Sequence, residues 1–143
     1  MVDYSYNYLK DYTRYKCINL YLFLCYYLQG KMLRKPERKL WYLIKENTPE
    51  ILWNRVETIM GFPDLLGCHE NCGFFTVELK VSNRSKIKLS PHQISWNYKH
   101  ALKGGRCFII ATPLEQTTLN IYGGRQSIDI SNNIHEPLAV FHK

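Results

Sequence analysis

Between Leu79 and Leu114 the chain has no aspartate and no glutamate, yet Lys80, Arg84, Lys86, Lys88, Lys99, Lys103 and Arg106 all fall there. With no acid nearby to compensate them, these charges fit an anionic partner, and the formal net charge of +7 over 143 residues agrees. Nucleic acid and an acidic membrane surface are the two candidates. A second basic group, Lys31, Arg34, Lys35, Arg38 and Lys39, is interrupted only by Glu37. Long apolar runs are also missing. Cys17 to Leu28 (CINLYLFLCYYL) is nearly all apolar, but it falls short of the roughly twenty residues that span a bilayer. Asp3 and Asp11 replace the basic flank of a signal peptide, and no small-residue cleavage site follows. No stable membrane span is expected. The five cysteines are odd in number and irregularly spaced, a poor disulfide framework that suits a reducing, intracellular setting in the cytoplasm. Cys68, His69 and Cys72 lack the second Cys/His pair that a closed zinc site needs, so they read as turn residues beside a strand. There is no internal repeat.

What remains is the composition of one globular domain, 45% hydrophobic and 22% charged. Residues 1–31 hold eight of the eleven tyrosines and read as an aromatic-rich extension that the chemistry does not need. Residues 32–122 form the domain proper, and 123–143 a C-terminal tail. Leu40, Trp41, Leu43 and Ile44 make a helical stripe that starts near Pro36 and stops at Thr48-Pro49. Short strands follow within Ile51 to Met60 and at Asp64 to Gly67, with Gly61-Phe62-Pro63 as the turn between them. Phe74 to Val81 is the clearest strand. Ser90-Pro91-His92-Gln93 announces a helix, with Ser90 as N-cap, Pro91 at the first helical position and Gln93 closing a capping box. Gly104-Gly105 ends it. Cys107 to Ala111 is a buried-type strand, and Leu119 to Tyr122 a further short one. The order predicts an α/β fold with a central mixed β-sheet flanked by helices.

Side chains alternate between faces along Phe75 to Val81. Phe75, Val77, Leu79 and Val81 take an apolar face; Thr76, Glu78 and Lys80 take the other. A Glu-x-Lys alone is ordinarily an ion pair on a half-exposed strand. Here, thirteen residues separate Asp64 from Glu78, enough for a strand, a turn and a return strand that set the two carboxylates side by side. Paired carboxylates are the ligands of a hard cation, Mg²⁺ or Mn²⁺, with the Leu79 backbone carbonyl as a further oxygen. The chemistry this predicts is phosphodiester hydrolysis, with Lys80 orienting the attacking water.

These residues carry a resemblance. Gly61-Phe62-Pro63-Asp64-Leu65-Leu66-Gly67, Val77-Glu78-Leu79-Lys80, Leu89-Ser90-Pro91-His92-Gln93 and Gly104-Gly105 resemble, in order, the virus-type replication-repair nuclease (VRR-NUC) branch of the PD-(D/E)XK superfamily. That branch is similar to archaeal and phage Holliday-junction resolvases. The resemblance runs from about Pro36 to Pro113. It implies a restriction-endonuclease-like core and a divalent-metal DNA endonuclease acting on branched or structured DNA in replication, recombination or repair, with a homodimer possible. By position, Asp64 and Glu78 would be metal ligands, Lys80 the catalytic lysine and Gln93 a glutamine facing the site. Glu37, or in competition Glu57, would complete the ligand set. Arg55, Arg84, Lys86, Lys88, Lys99 and Lys103 are the candidate DNA contacts. A sequence-specific restriction-type endonuclease and a non-catalytic basic DNA-binding module are the alternatives. Trp96, His92 and His100 read as packing or surface groups.

Overall fold

The structure is a computed structural model and describes residues 36–56, 59–83, 86–115 and 118–142. The aromatic extension, Glu57 and Arg84 lie outside the described residues.

Helix α1 (Pro36–Asn47) has Glu37 in its first turn and Lys45 in its last, each suited to the helix dipole there. Leu40, Trp41 and Ile44 are buried along one side, while Arg38, Lys39, Tyr42, Lys45 and Glu46 stay exposed. Thr48 ends the helix by donating its hydroxyl to the Ile44 carbonyl (2.7 Å), and the same oxygen accepts from Trp53 Nε1 (2.8 Å). One residue thus closes α1 and fastens it to strand β1 (Leu52–Arg55).

Strands β2 (Leu65–His69), β3 (Gly73–Ser82), β4 (Cys107–Pro113), β5 (Thr118–Gly123) and β6 (Ala139–His142) complete one six-stranded sheet whose spatial order follows the sequence. β1, β2 and β3 form an antiparallel meander. β4 lies parallel to β3, and helix α2 (Pro91–Leu102) makes the crossover that a parallel pair requires. β5 and β6 then add antiparallel.

The sheet has two apolar layers. On one face Phe75, Val77 and Leu79 pack with Phe108, Ile110, Leu119, Ile121 and the buried side of α1. Edge-to-face rings run through this layer from Trp41 to Trp53 (5.9 Å), Phe75 (5.4 Å) and Phe108 (6.2 Å). On the other face a smaller cluster gathers Ile109, Ala111, Tyr122, Ile87 and Ile130, beneath α2 and the short helix α3 (Ser127–Ser131).

The predicted α/β architecture, a mixed sheet flanked by helices, is therefore present. One expectation is corrected. The described residues of the 123–143 segment are no tail: a 3-10 turn (Gly124–Gln126), α3 and β6 all build onto the domain. Leu138 N–H donates to the Ile121 carbonyl (2.7 Å), and Phe141 and Ala139 pack against the α1-side core. Five residues of helix are too few to show a 3.6-residue period, and a four-residue edge strand carries little alternation. Among the described residues no helix is long and apolar enough to cross a membrane.

Candidate active site

The register that pairs Leu65 with Val77 and Leu66 with Thr76 carries on by one residue to bring Asp64 across from Glu78. β2 begins only at the next residue, and the Asp64 side chain extends its pairing: Oδ2 accepts the Leu79 backbone N–H at 2.8 Å. The N–H and C=O of a strand residue point to the same side, so the Leu79 carbonyl turns toward the same edge as Asp64. The main chain at Asp64 is fixed as well, its carbonyl accepting Val56 N–H at 2.8 Å.

Glu78 has no solvent exposure, although its strand carries Lys80 only two residues on. Its Oε1 is held twice, by Lys80 Nζ at 3.0 Å and by Gln93 Nε2 at 2.5 Å. Oε2 is buried and takes no hydrogen bond. Burial, and after it the negative charge of Asp64, push the Glu78 carboxyl up to about 7, against the pull of Lys80.

Gln93 serves two partners at once. Its Oε1 accepts Ser90 N–H (2.9 Å), and Ser90 Oγ accepts Gln93 N–H (3.2 Å), which closes the capping box of α2. Its Nε2 is thereby aimed at Glu78. One turn along, Asn97 is fully buried and donates to the Gln93 carbonyl at 2.9 Å. Its Oδ1 is buried without a partner.

The loop before Asp64 leans on α2. Gly61 has φ +78°, and a Cβ there would lie 2.8 Å from His92 Cβ. Phe62 meets the Trp96 ring edge-on (5.0 Å), Trp96 stacks on His100 (3.8 Å, 15°), and His100 Nδ1 is hydrogen-bonded to the Trp96 carbonyl at 2.7 Å. Trp96 and His100 are thus packing groups, as their residue types suggested. Their service as a buttress for the Asp64 loop had no signature in strand alternation or motif spacing.

The other candidates divide. Glu37 stands exposed in the first turn of α1. The short α1–β1 connection brings that turn to the end of the sheet where β2 begins, but α1 lies on the face opposite Glu78. The charges acting on Glu78 are those of Asp64 and Lys80, and Glu37 is not among them. Glu37 is exposed and makes no contact with Glu78 here, so its part in a ligand set stays an expectation of the resemblance. Lys86 and Lys88 are exposed on the β3–α2 connection beside the site. Arg55 pairs with Leu65, and Leu65 with Val77, so it belongs to the α1 face. Lys99 is exposed on α2, and Lys103 caps its far end, about 15 Å from Gln93 by helical rise. Cys68 and His69 alternate to opposite faces of β2 and do not converge on one ion. Among the described residues no three His, Cys, Asp or Glu side chains gather.

An all-oxygen donor set fits a hard divalent cation. The sharpest indication is Glu78 Oε2, a buried carboxylate oxygen with no partner beside a second carboxylate. Such an atom is costly unless a cation meets it or a proton is held between it and the Asp64 carboxyl. No protein-family model, no curated protein and no solved structure matches this chain.

Proposed function

We propose that the protein is a divalent-metal-dependent nuclease, with a restriction-endonuclease-like core, that hydrolyses phosphodiester bonds in DNA. The observation that carries this reading is the junction of Asp64 with Glu78 and Lys80 on one sheet face, where Glu78 Oε2 is buried and unpartnered. The element order supports it: a helix, a three-stranded meander, a crossover helix and a parallel strand form the layered sheet on which the motif resemblance rests.

Asp64, Glu78 and the Leu79 carbonyl would hold Mg²⁺ or Mn²⁺, which when bound lowers the pKa of a coordinated water and polarises the phosphate. Lys80, only 16% exposed, keeps its ammonium at the mouth of the site. There it orients the attacking water and offsets charge on the developing pentavalent phosphate. Gln93 holds Glu78 Oε1, which leaves Oε2 to face the cation. Lys86 and Lys88 contact flanking phosphates, so affinity falls as salt rises.

The test is a cleavage assay on four-way junction, flap, linear duplex and single strand, with Mg²⁺, Mn²⁺ or EDTA. Cutting is expected with either cation and not with EDTA. Asp64→Ala and Lys80→Ala are each expected to lose on the order of a hundredfold or more in rate, the scale of removing one charge-stabilising group. Cleavage by both variants at the wild-type rate would overturn the assignment.

A further inference from the structure

Among the described residues, the sheet face that carries Glu78 is roofed over β4 and β5 by α2 and α3, while no helix covers it over β1, β2 and the start of β3, and Thr76 further along β3 is already buried. On this open part the register forms parallel rows. Leu52, Cys68 and Phe74 make one row; Asn54, Leu66 and Thr76 make the next; Asp64 and Glu78 begin the third. Neighbouring rows are about 7 Å apart, two residues of strand. Leu52 and Phe74 are each 68% exposed, whereas Phe75, one residue further and on the other face, is 3% exposed. Leu66 and Cys68 are half-buried between them. An apolar ledge thus ends at the two carboxylates, with the Asn54 amide exposed in its middle row. Large apolar groups presented together beside a polar site mark a contact surface rather than a core.

Building on the nuclease reading, we propose that this ledge seats an unpaired nucleobase about two rows, or roughly 14 Å, from the scissile phosphodiester, so that the substrate is DNA with single-stranded nucleotides flanking the cut. Duplex DNA presents sugars and phosphates outward and hides its bases, so it has nothing apolar to lay on Phe74 and Leu52. An unpaired nucleotide carries both features this surface complements: a phosphate for Lys80, Lys86 and Lys88, and a flat apolar face for the Phe74 ring. The Asn54 amide can meet the polar edge of the base.

The experiment measures binding of the full chain, with Ca²⁺ to occupy the carboxylates, to a single-stranded oligonucleotide and to a blunt duplex of the same sequence. Wild type is expected to favour the single strand. Phe74→Ala should weaken single-strand binding roughly fivefold to a hundredfold, the range of one lost base stack, and leave duplex binding within about twofold. Phe74→Trp should restore it, a rescue that general loosening of the fold would not give. Equal losses on both ligands, or no loss on either, would overturn the proposal. So would a change in sedimentation in Phe74→Ala in place of a binding change, since the ledge would then be an interface between copies of the chain. The two readings fail separately. Phe74-dependent single-strand binding without cleavage under Mg²⁺ sinks the nuclease assignment and leaves the ledge. Cleavage of duplex with no Phe74 dependence does the reverse.

Discussion

Glu78 is folded into a position where its charged form is the unfavourable one, and this sets how stability responds to pH. Its carboxyl titrates at about 7 in the folded chain against 4.5 for a glutamate in water, with burial the main cause. Below 4.5 it is protonated in both states, and its contribution to stability is fully present. As pH rises toward 7 the unfolded chain releases the proton while the folded chain keeps it, so stability is lost through that window and levels off above it. Between pH 5 and 8 the loss assignable to this group is roughly 2–3 kcal/mol at 1.36 kcal/mol per pH unit. Urea unfolding at the two pH values should therefore show wild type losing about that much more than Glu78→Gln, whose amide keeps an oxygen for Gln93 and Lys80 but cannot ionise. A wild-type slope no steeper than that of the variant would show that the carboxyl is not destabilised by its burial. At this scale much was legible in the sequence. Period-two alternation put Glu78 and Lys80 on one face, and the capping pattern put Gln93 at the start of a helix. The full burial of Glu78 was not legible, because it depends on α2 docking across the strand. The face of the sheet that α1 covers was not legible either, since it is a fact of layer packing, outside local spacing.

The element that places Asp64 is the loop Gly61-Phe62-Pro63, and its geometry depends on α2 more than on its own strand. Gly61 combines a left-handed φ of +78° with contact so close that a Cβ would sit 2.8 Å from His92 Cβ; Gly104 has φ +85° with nothing within 4 Å of such a Cβ. The pair separates two effects of glycine. Gly104→Ala should cost about 1–2 kcal/mol, the left-handed penalty alone, and leave Mn²⁺ affinity unchanged. Gly61→Ala should cost more, and it should also weaken Mn²⁺ binding, since relieving the clash moves the loop away from α2 and carries Asp64 with it. Calorimetric titration with Mn²⁺, beside urea unfolding, reads both quantities. Equal behaviour of the two variants would remove α2 from any part in positioning Asp64. The strands that frame this loop were readable because each is bounded by turn residues and carries a distinct pattern: Asp64 to Gly67, Phe74 to Val81 and Cys107 to Ala111. The docking of the loop itself was not, since Phe62 meets Trp96 across thirty-four residues of sequence with no periodicity to link them.

Over the whole molecule the sheet continues past the site by three strands, and the last of them comes from residues first read as a tail. From Lys80 the cross-strand row passes through Ala111 and Asn120 to Val140, about 14 Å at the usual strand spacing. β6 is thus remote from the carboxylates yet joined to the same core. Phe141 and Ala139 pack against the cluster that holds α1, and the Leu138 N–H closes on Ile121. Deleting residues 135–143 should lower unfolding stability on the order of 3 kcal/mol, since it removes a partly buried aromatic and one ladder of backbone hydrogen bonds. It should also leave the β5 edge open and promote self-association, because an uncovered edge offers unpaired backbone groups to another chain. Because Asp64 and Glu78 are held by β2, β3, α2 and the Val56 N–H that follows β1, Mn²⁺ affinity measured well below the shortened chain's melting temperature should stay within about twofold of wild type. Thermal unfolding, sedimentation and Mn²⁺ titration of the truncated chain test the three parts together. Unchanged stability would return these residues to the status of a tail. A collapse of Mn²⁺ binding in a chain that is still folded would mean that the carboxylate pair depends on the entire six-stranded sheet and not on its β2–β3 junction.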